Sequence, residues 1–273
     1  MKQTVISVLS PSGGVGKSTI TKELGIAVCS TKIEGSNIKT CIIDVNLNFG
    51  SQRSMLRSLP KHNIMDWVNE YRDDVQNLSF QEIEQKYDWD HIEKYLSYIN
   101  EYNLYLLPAP DDGKYHDITT GELEIIIFTL KKYFDIILID TGNNLDPVTV
   151  ASIKLSNEAL LIVTDEKRSI ESVKRLRKRI RAEELPLKKF KVVMNRYPKR
   201  NSMRLFSKAE IEKILYIDVC SILPEEPKTW KYNNAGLPIV LDKDNKLKSG
   251  LLNLAHLLVP EVNPKQFKKQ FTL

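Results

Sequence analysis

Long apolar runs are missing from this 273-residue chain. No stretch approaches the roughly 18–20 residues that a membrane-spanning helix needs, so a spanning helix is not expected. A secretory pattern is missing too: Met1-Lys2-Gln3-Thr4 leads at once into the short run Val5-Ile6-Ser7-Val8-Leu9. The expected location is therefore the cytoplasm, with peripheral contact to membrane or nucleoid left open. Cysteine is scarce. Cys29, Cys41 and Cys220 lie far apart inside apolar stretches, a spacing that makes no metal or redox motif. They read as small buried hydrophobes in a reducing compartment. Internal repeats and low-complexity tracts are also absent.

What is present fits a soluble α/β protein. Hydrophobic residues make up 42% and charged residues 27%, ordinary values for a globular chain. The net charge of +5 is unevenly spread. Carboxylates dominate from Glu70 to Glu101, and cations dominate from Lys167 to Lys208, an asymmetry that points to surfaces and partners.

Apolar runs of strand type occur at Thr4–Leu9, Lys39–Asp44, Leu104–Leu107, Asp135–Ile139, Glu158–Val163, Lys191–Met194 and Val219–Ile222. Several are continuous rather than alternating, as parallel strands covered on both faces should be. Helical patterns fall at Lys17–Ser30, Thr120–Tyr133, Pro147–Leu155, Ser169–Glu184, Ser207–Tyr216 and Lys246–Leu258. This alternation predicts a doubly wound, mainly parallel sheet. Residues 63–103 break the rhythm and read as a helical insertion rich in acidic and aromatic residues. The expected domain spans residues 1–259, and residues 260–273 form a tail that leaves the core.

The first strand runs into Ser10-Pro11-Ser12-Gly13-Gly14-Val15-Gly16-Lys17-Ser18-Thr19 and then an amphipathic helix, the strand–loop–helix setting of a phosphate-binding loop. Glycines let backbone N–H groups turn inward around an anion, and the helix N-terminus adds its positive end. Lys17 would reach the β- and γ-phosphates of ATP, and the Ser18 hydroxyl would ligate Mg²⁺. The binding loop is thus Ser12, Gly13, Gly14, Val15, Gly16, Lys17, Ser18 and Thr19. Pro11 stands where the plain motif has its first glycine. The pair Gly13-Gly14 instead resembles the K-G-G-x-G-K-[ST] loop of the MinD/ParA superfamily. That resemblance covers nearly the whole chain, from Val5 to about Leu258. It implies a nucleotide-dependent homodimer. It also implies a signature lysine that crosses the dimer interface toward the partner's nucleotide; this chain has Ser12 there. ATP binding is expected to survive that change, and hydrolysis to be slow, altered or absent.

The second long strand ends at Asp44, where a C-terminal strand end meets the ligand crevice. The resemblance makes the matching aspartate a positioner of attacking water and of the Mg²⁺ shell, so Lys17 and Asp44 are the candidate catalytic residues; a plain turn role for Asp44 is the alternative. Phe134-Asp135-Ile136-Ile137-Leu138-Ile139-Asp140-Thr141 looks like a Walker B strand, and a carboxylate closing a buried apolar strand suits a cation or a hydrogen-bond network. Ser18, Asp44 and Asp140 are the candidate metal-side residues. The family usually continues D-[ST]-P, whereas Gly142-Asn143-Asn144 follows Thr141 here. Asn195, with Arg196, resembles the adenine-reading position, and Leu223-Pro224 resembles the segment packed on the base; a simple strand-end turn also explains Asn195.

Within the superfamily, Asp44-Val45-Asn46-Leu47-Asn48-Phe49-Gly50, Leu106-Leu107-Pro108-Ala109-Pro110, Met194-Asn195-Arg196-Tyr197 and the late Lys228-Thr229-Trp230…Asn234-Ala235-Gly236-Leu237-Pro238 look like the CpaE/TadZ branch associated with pilus assembly. Conjugation and plasmid-partition relatives share much of this pattern. In Ser169–Glu184 the residues Ile170, Val173, Leu176 and Ile180 recur at helical spacing, leaving Lys174, Arg175, Arg177, Lys178, Arg179 and Arg181 for the exposed side. That face reads either as a nonspecific DNA surface or as a solvated face for an acidic protein partner. In the tail, Phe267 and Phe271 stand four residues apart beside lysines, which reads either as a faint likeness to a membrane-targeting helix or as a frayed or packed terminus. Two functions remain: an ATP-gated positioning factor for a pilus, secretion, conjugation or DNA-partition machine, or a non-hydrolysing nucleotide-binding scaffold of such a machine. A metabolic P-loop enzyme lacks a clear second-substrate site.

Overall fold

The computed structural model describes residues 2–111, 117–143, 145–198, 200, 204–265 and 267. Ten strands form in chain order: β1 Thr4–Leu9, β2 Lys32–Ile33, β3 Ser36–Asn37, β4 Thr40–Asp44, β5 Ser97–Ile99, β6 Leu104–Leu107, β7 Ile136–Asp140, β8 Glu158–Thr164, β9 Phe190–Tyr197 and β10 Val219–Pro224. Among the described residues eleven α-helices accompany them: α1 Lys17–Cys29, α2 Gln52–Met55, α3 Ile64–Asn77, α4 Phe80–Lys86, α5 Trp89–Ile92, α6 Thr120–Lys131, α7 Pro147–Leu155, α8 Lys167–Ala182, α9 Lys208–Leu215, α10 Thr229–Asn234 and α11 Leu247–Leu258.

Eight strands make one sheet in the order β10-β9-β8-β1-β7-β4-β6-β5, and every pairing but β5–β6 is parallel. The continuous apolar runs are explained by burial on both faces. Ile6, Val8, Ile42, Leu138, Leu160 and Ile162 face a layer that includes α1 and α11. Their neighbours Cys41, Ile43, Ile137 and Ile139 face α3 and α6, and Leu161 and Val163 face α8 and α9. Because strand order reverses around β1, the C-terminal ends of β1, β4 and β7 open onto one crevice, where a doubly wound sheet binds ligands.

Two parts depart from the sequence reading. The 63–103 insertion contains the helices α3 to α5 but closes with β5, the antiparallel edge strand; three residues are too short for a strand pattern to register. Trp67 stacks between Tyr87 and Tyr95 at the heart of this insertion. Two of its carboxylates are engaged internally: Glu70 accepts from Lys86, Lys94 and Tyr95, and Asp74 from Lys86 and Tyr87. The tail also differs. Val262 is 0% and Phe267 3% exposed, both inside the α1–α11 core layer. The chain therefore stays on the core through Phe267, and that ring is not presented to a membrane. Phe271 lies outside the described residues. Among the described residues no helix is long and apolar enough to cross a membrane.

Candidate nucleotide and magnesium site

The loop between β1 and α1 is built to hold an anion. Gly14 and Gly16 take φ of +75° and +92°, left-handed geometry that a side chain strains. A Cβ on Gly16 would also lie 2.4 Å from Asn195 Nδ2. Gly16 caps α1, yet among the described residues no side chain caps the first-turn N–H groups. The donors that Ser, Thr or Asp would satisfy elsewhere remain for a ligand, and the helix dipole favours a negative one.

Beneath the loop lies a charge network closed off from water. Asp44 and Asp140 are register partners on β4 and β7 and are 1% and 0% exposed. Lys17 Nζ sits 2.8 Å from Asp140 Oδ1 and reaches Ser18 Oγ at 3.5 Å. Asp44 accepts three backbone N–H groups: Asn46 at 3.1 Å, Ser51 at 3.0 Å and Gln52 at 3.1 Å. Such bonds favour a carboxylate, but burial and then the charge of Asp140 outweigh them and push Asp44 up to about 7. Gln52 is 0% exposed. Its Nε2 donates to Ser18 O at 2.9 Å and to Asp140 Oδ2 at 2.7 Å.

A cavity of about 330 Å³ opens beside the loop, lined by Gly16, Thr19, Asn195, Arg196, Pro224 and Trp230 among others. Asn195 Nδ2 donates to Val15 O at 2.8 Å, so the amide oxygen is the acceptor offered to a ligand. Arg196 keeps its backbone left-handed at φ +53°, one residue before β9 ends at the rim. Asn233 Nδ2 donates to Thr19 Oγ1 at 2.8 Å, and Asn233 Oδ1 accepts from Lys22 Nζ at 2.9 Å. Lys22 also pairs with Glu23 at 3.0 Å, both 0% exposed. The α10 wall of the cavity is thereby tied to the first turns of α1.

The sequence-predicted residues Gly13 to Thr19, Asp44, Asp140, Asn195, Arg196 and Pro224 thus gather at one crevice. Ser12 stands at the loop entrance. Its N–H donates to Ser10 Oγ at 3.1 Å, while its own hydroxyl oxygen is buried with no partner. Asn143 of the atypical switch segment lies beside Gly13: a Cβ there would be 3.5 Å from Asn143 Nδ2. Sequence reasoning missed Gln52, Lys22 and Asn233. Lys22 is a polar residue inside a helix pattern, while Gln52 opens the four-residue α2 and Asn233 lies in the six-residue α10; none carries a local signal, and only the packing shows their contacts.

The residues fit a magnesium nucleotide. Among the described residues no group of three or more His, Cys, Asp and Glu could hold a metal by itself. One hydroxyl and two carboxylates beside a phosphate cradle suit Mg²⁺, which takes few protein ligands and completes its shell with water and phosphate oxygens.

The basic helix is only partly free. Arg177 is not on the exposed face: its guanidinium lies 3.9 Å from the Tyr216 ring centroid and donates to Ile214 O at 3.2 Å. Arg175 donates to Ser172 Oγ and Arg179 to Leu145 O. Lys174, Arg175, Lys178, Arg179 and Arg181 are exposed, and Arg177 alone of the six is half-buried.

A protein-family model described as an AAA domain matches residues 3–190. The chain belongs to that family, within the MinD/ParA superfamily of P-loop ATPases. A septum site-determining protein MinD from Thermotoga maritima is 25% identical over 264 residues, covering 95% of this chain and 89% of that protein. The MinC:MinD cell division complex of Aquifex aeolicus matches with TM-score 0.75 and 25% identity, over 94% of this chain and 96% of that one. MinD from Pyrococcus horikoshii, solved with Mg-ADP, matches with TM-score 0.69 and 19% identity over 100% of both chains.

Proposed function

We propose that this MinD/ParA-superfamily chain is an ATP-gated positioning protein. ATP and Mg²⁺ bind at Ser12–Thr19, two copies pair face to face, and the pair localises a partner assembly. The observation that carries the reading is the uncapped α1 N-terminus above the Lys17–Asp140 pair. A triphosphate would draw Lys17 from Asp140 to its own oxygens, leaving Asp140 and Ser18 to hold Mg²⁺. Bound Mg²⁺ supplies charge neutralisation between phosphate oxygens. Asn195 reads the base through its amide oxygen, which accepts from the exocyclic amine of adenine. The Mg-ADP carried by the Pyrococcus MinD and the partner carried by the Aquifex MinD support this reading by likeness. The served machine is of the pilus, secretion, conjugation or partition kind, and the segment Asp44–Gly50 favours the pilus-assembly branch. Lys174, Arg175, Lys178, Arg179 and Arg181 offer nonspecific contacts to DNA phosphates.

A second reading, a scaffold that binds ATP without useful turnover, is favoured by Ser12 and by Gly142-Asn143. ATP binding by calorimetry and turnover with and without DNA or liposomes separate the two. The gated reading expects slow turnover that rises with a partner surface. Tight binding with no turnover under any condition selects the scaffold, and absence of ATP binding removes both.

A further inference from the structure

Gln52 is the one described residue whose hydrogen bonds reach all three candidate metal-side residues. Its backbone N–H donates to Asp44 Oδ2 at 3.1 Å. Its side-chain Nε2 donates to the Ser18 carbonyl at 2.9 Å and to Asp140 Oδ2 at 2.7 Å. The amide orientation is fixed by these neighbours, since both are acceptors and only the NH₂ end can serve them. Lys17 holds the other oxygen of Asp140 at 2.8 Å. When Lys17 turns to phosphate, Oδ1 is the oxygen released and Oδ2 stays clamped by Gln52.

The same orientation leaves Gln52 Oε1 buried with no donor among the described residues. An unpaired buried acceptor is costly and usually marks a missing partner. A magnesium ion beside Ser18 and Asp140 brings one, because Mg²⁺ keeps several of its waters and each is a strong donor. We propose that Gln52 is a positioning residue of the magnesium site, its NH₂ group fixing the Asp140 carboxylate against Ser18 and its oxygen accepting from a water of the metal's shell. The inference rests on the proposed nucleotide and magnesium site and assigns a role there to a residue that the sequence motifs pass over. Outer partners of this kind are worth about 10–100-fold in metal affinity.

The test is the affinity for ADP measured by calorimetry in magnesium and in EDTA, for the native chain, Gln52→Ala and Gln52→Asn. The ratio of the two affinities isolates the metal, which a purely structural role would not change. The expected result is a ratio lowered by about 10-fold or more in both variants, with the EDTA affinity kept. Gln52→Asn retains an amide of shorter reach and decides the matter should Gln52→Ala fail to fold. Native binding strengthened by magnesium, with the same ratio in the variants, overturns this inference alone. No ADP binding by the native chain in either buffer overturns the nucleotide site and this inference with it.

Discussion

Lys17 and Asp140 form a buried ion pair, Nζ to Oδ1 at 2.8 Å, with the two side chains 5% and 0% exposed. The lysine proposed for phosphate is thus held by the carboxylate proposed for the metal. Breaking such a pair from one side leaves an uncompensated buried charge. Lys17→Ala is therefore expected to lose nucleotide binding and also to destabilise the ligand-free chain by about 3 kcal/mol. Calorimetry and urea unfolding check the two effects; retained ATP affinity would remove the P-loop assignment.

Asp44 gives a pH signature. Its pKa rises from 3.8 to about 7 on folding, through burial and the neighbouring Asp140 charge. The folded chain then holds a proton that the unfolded chain releases between these values. Stability contributed by this group is present below the lower value and is lost as pH rises to about 7, at a slope of at most about 1.4 kcal/mol per pH unit. Asp44→Asn should flatten that slope in ligand-free protein. An unchanged urea midpoint profile across this window would contradict the assignment.

Ser12→Lys restores a cation at the loop entrance where the superfamily has one. If charge is what the native loop lacks, ATP turnover should rise by about 10-fold or more while affinity stays within a few-fold. Brisk native turnover with no gain in the variant would show that Ser12 does not limit hydrolysis.

Asn195→Ala should weaken ATP binding by about 10-fold and narrow the preference for ATP over GTP, because the lost amide oxygen is the acceptor offered to the adenine amine. Competition with GTP against a labelled ATP analogue measures this directly, and an unaltered preference would assign base reading elsewhere.

Phe267→Ala should cost about 3–5 kcal/mol, since the ring is 3% exposed within the α1–α11 core layer. A change of liposome binding with no loss of stability would instead return the residue to the surface role that its sequence context suggests.

Much of this architecture was legible in the chain order of apolar runs. β1 and β6 keep their predicted ends, and β4 and β7 shift by a single residue, because strands buried on both faces write themselves as unbroken Val, Ile and Leu. The loop was legible because Gly14, Gly16, Lys17 and Ser18 must be contiguous to surround one anion. Gln52, Lys22 and Asn233 were not, since their partners lie 88, 211 and 214 residues away in sequence. Arg177 misled for a related reason: helical spacing puts it beside solvent-facing cations, and only the packing of α9 supplies the Tyr216 ring that captures it. The place of Phe267 stayed open because a short terminal segment with flanking lysines has no periodicity that points inward.

The two margins of the sheet share a further property. β5 offers three residues and runs against its neighbour, while β10 is broken by two register shifts and ends on Pro224. Neither border presents a long, regular ladder on which a foreign strand could grow. The proposed pairing of copies at the nucleotide face would thereby meet no competition from pairing through the backbone, and concentrated samples should resist fibril formation.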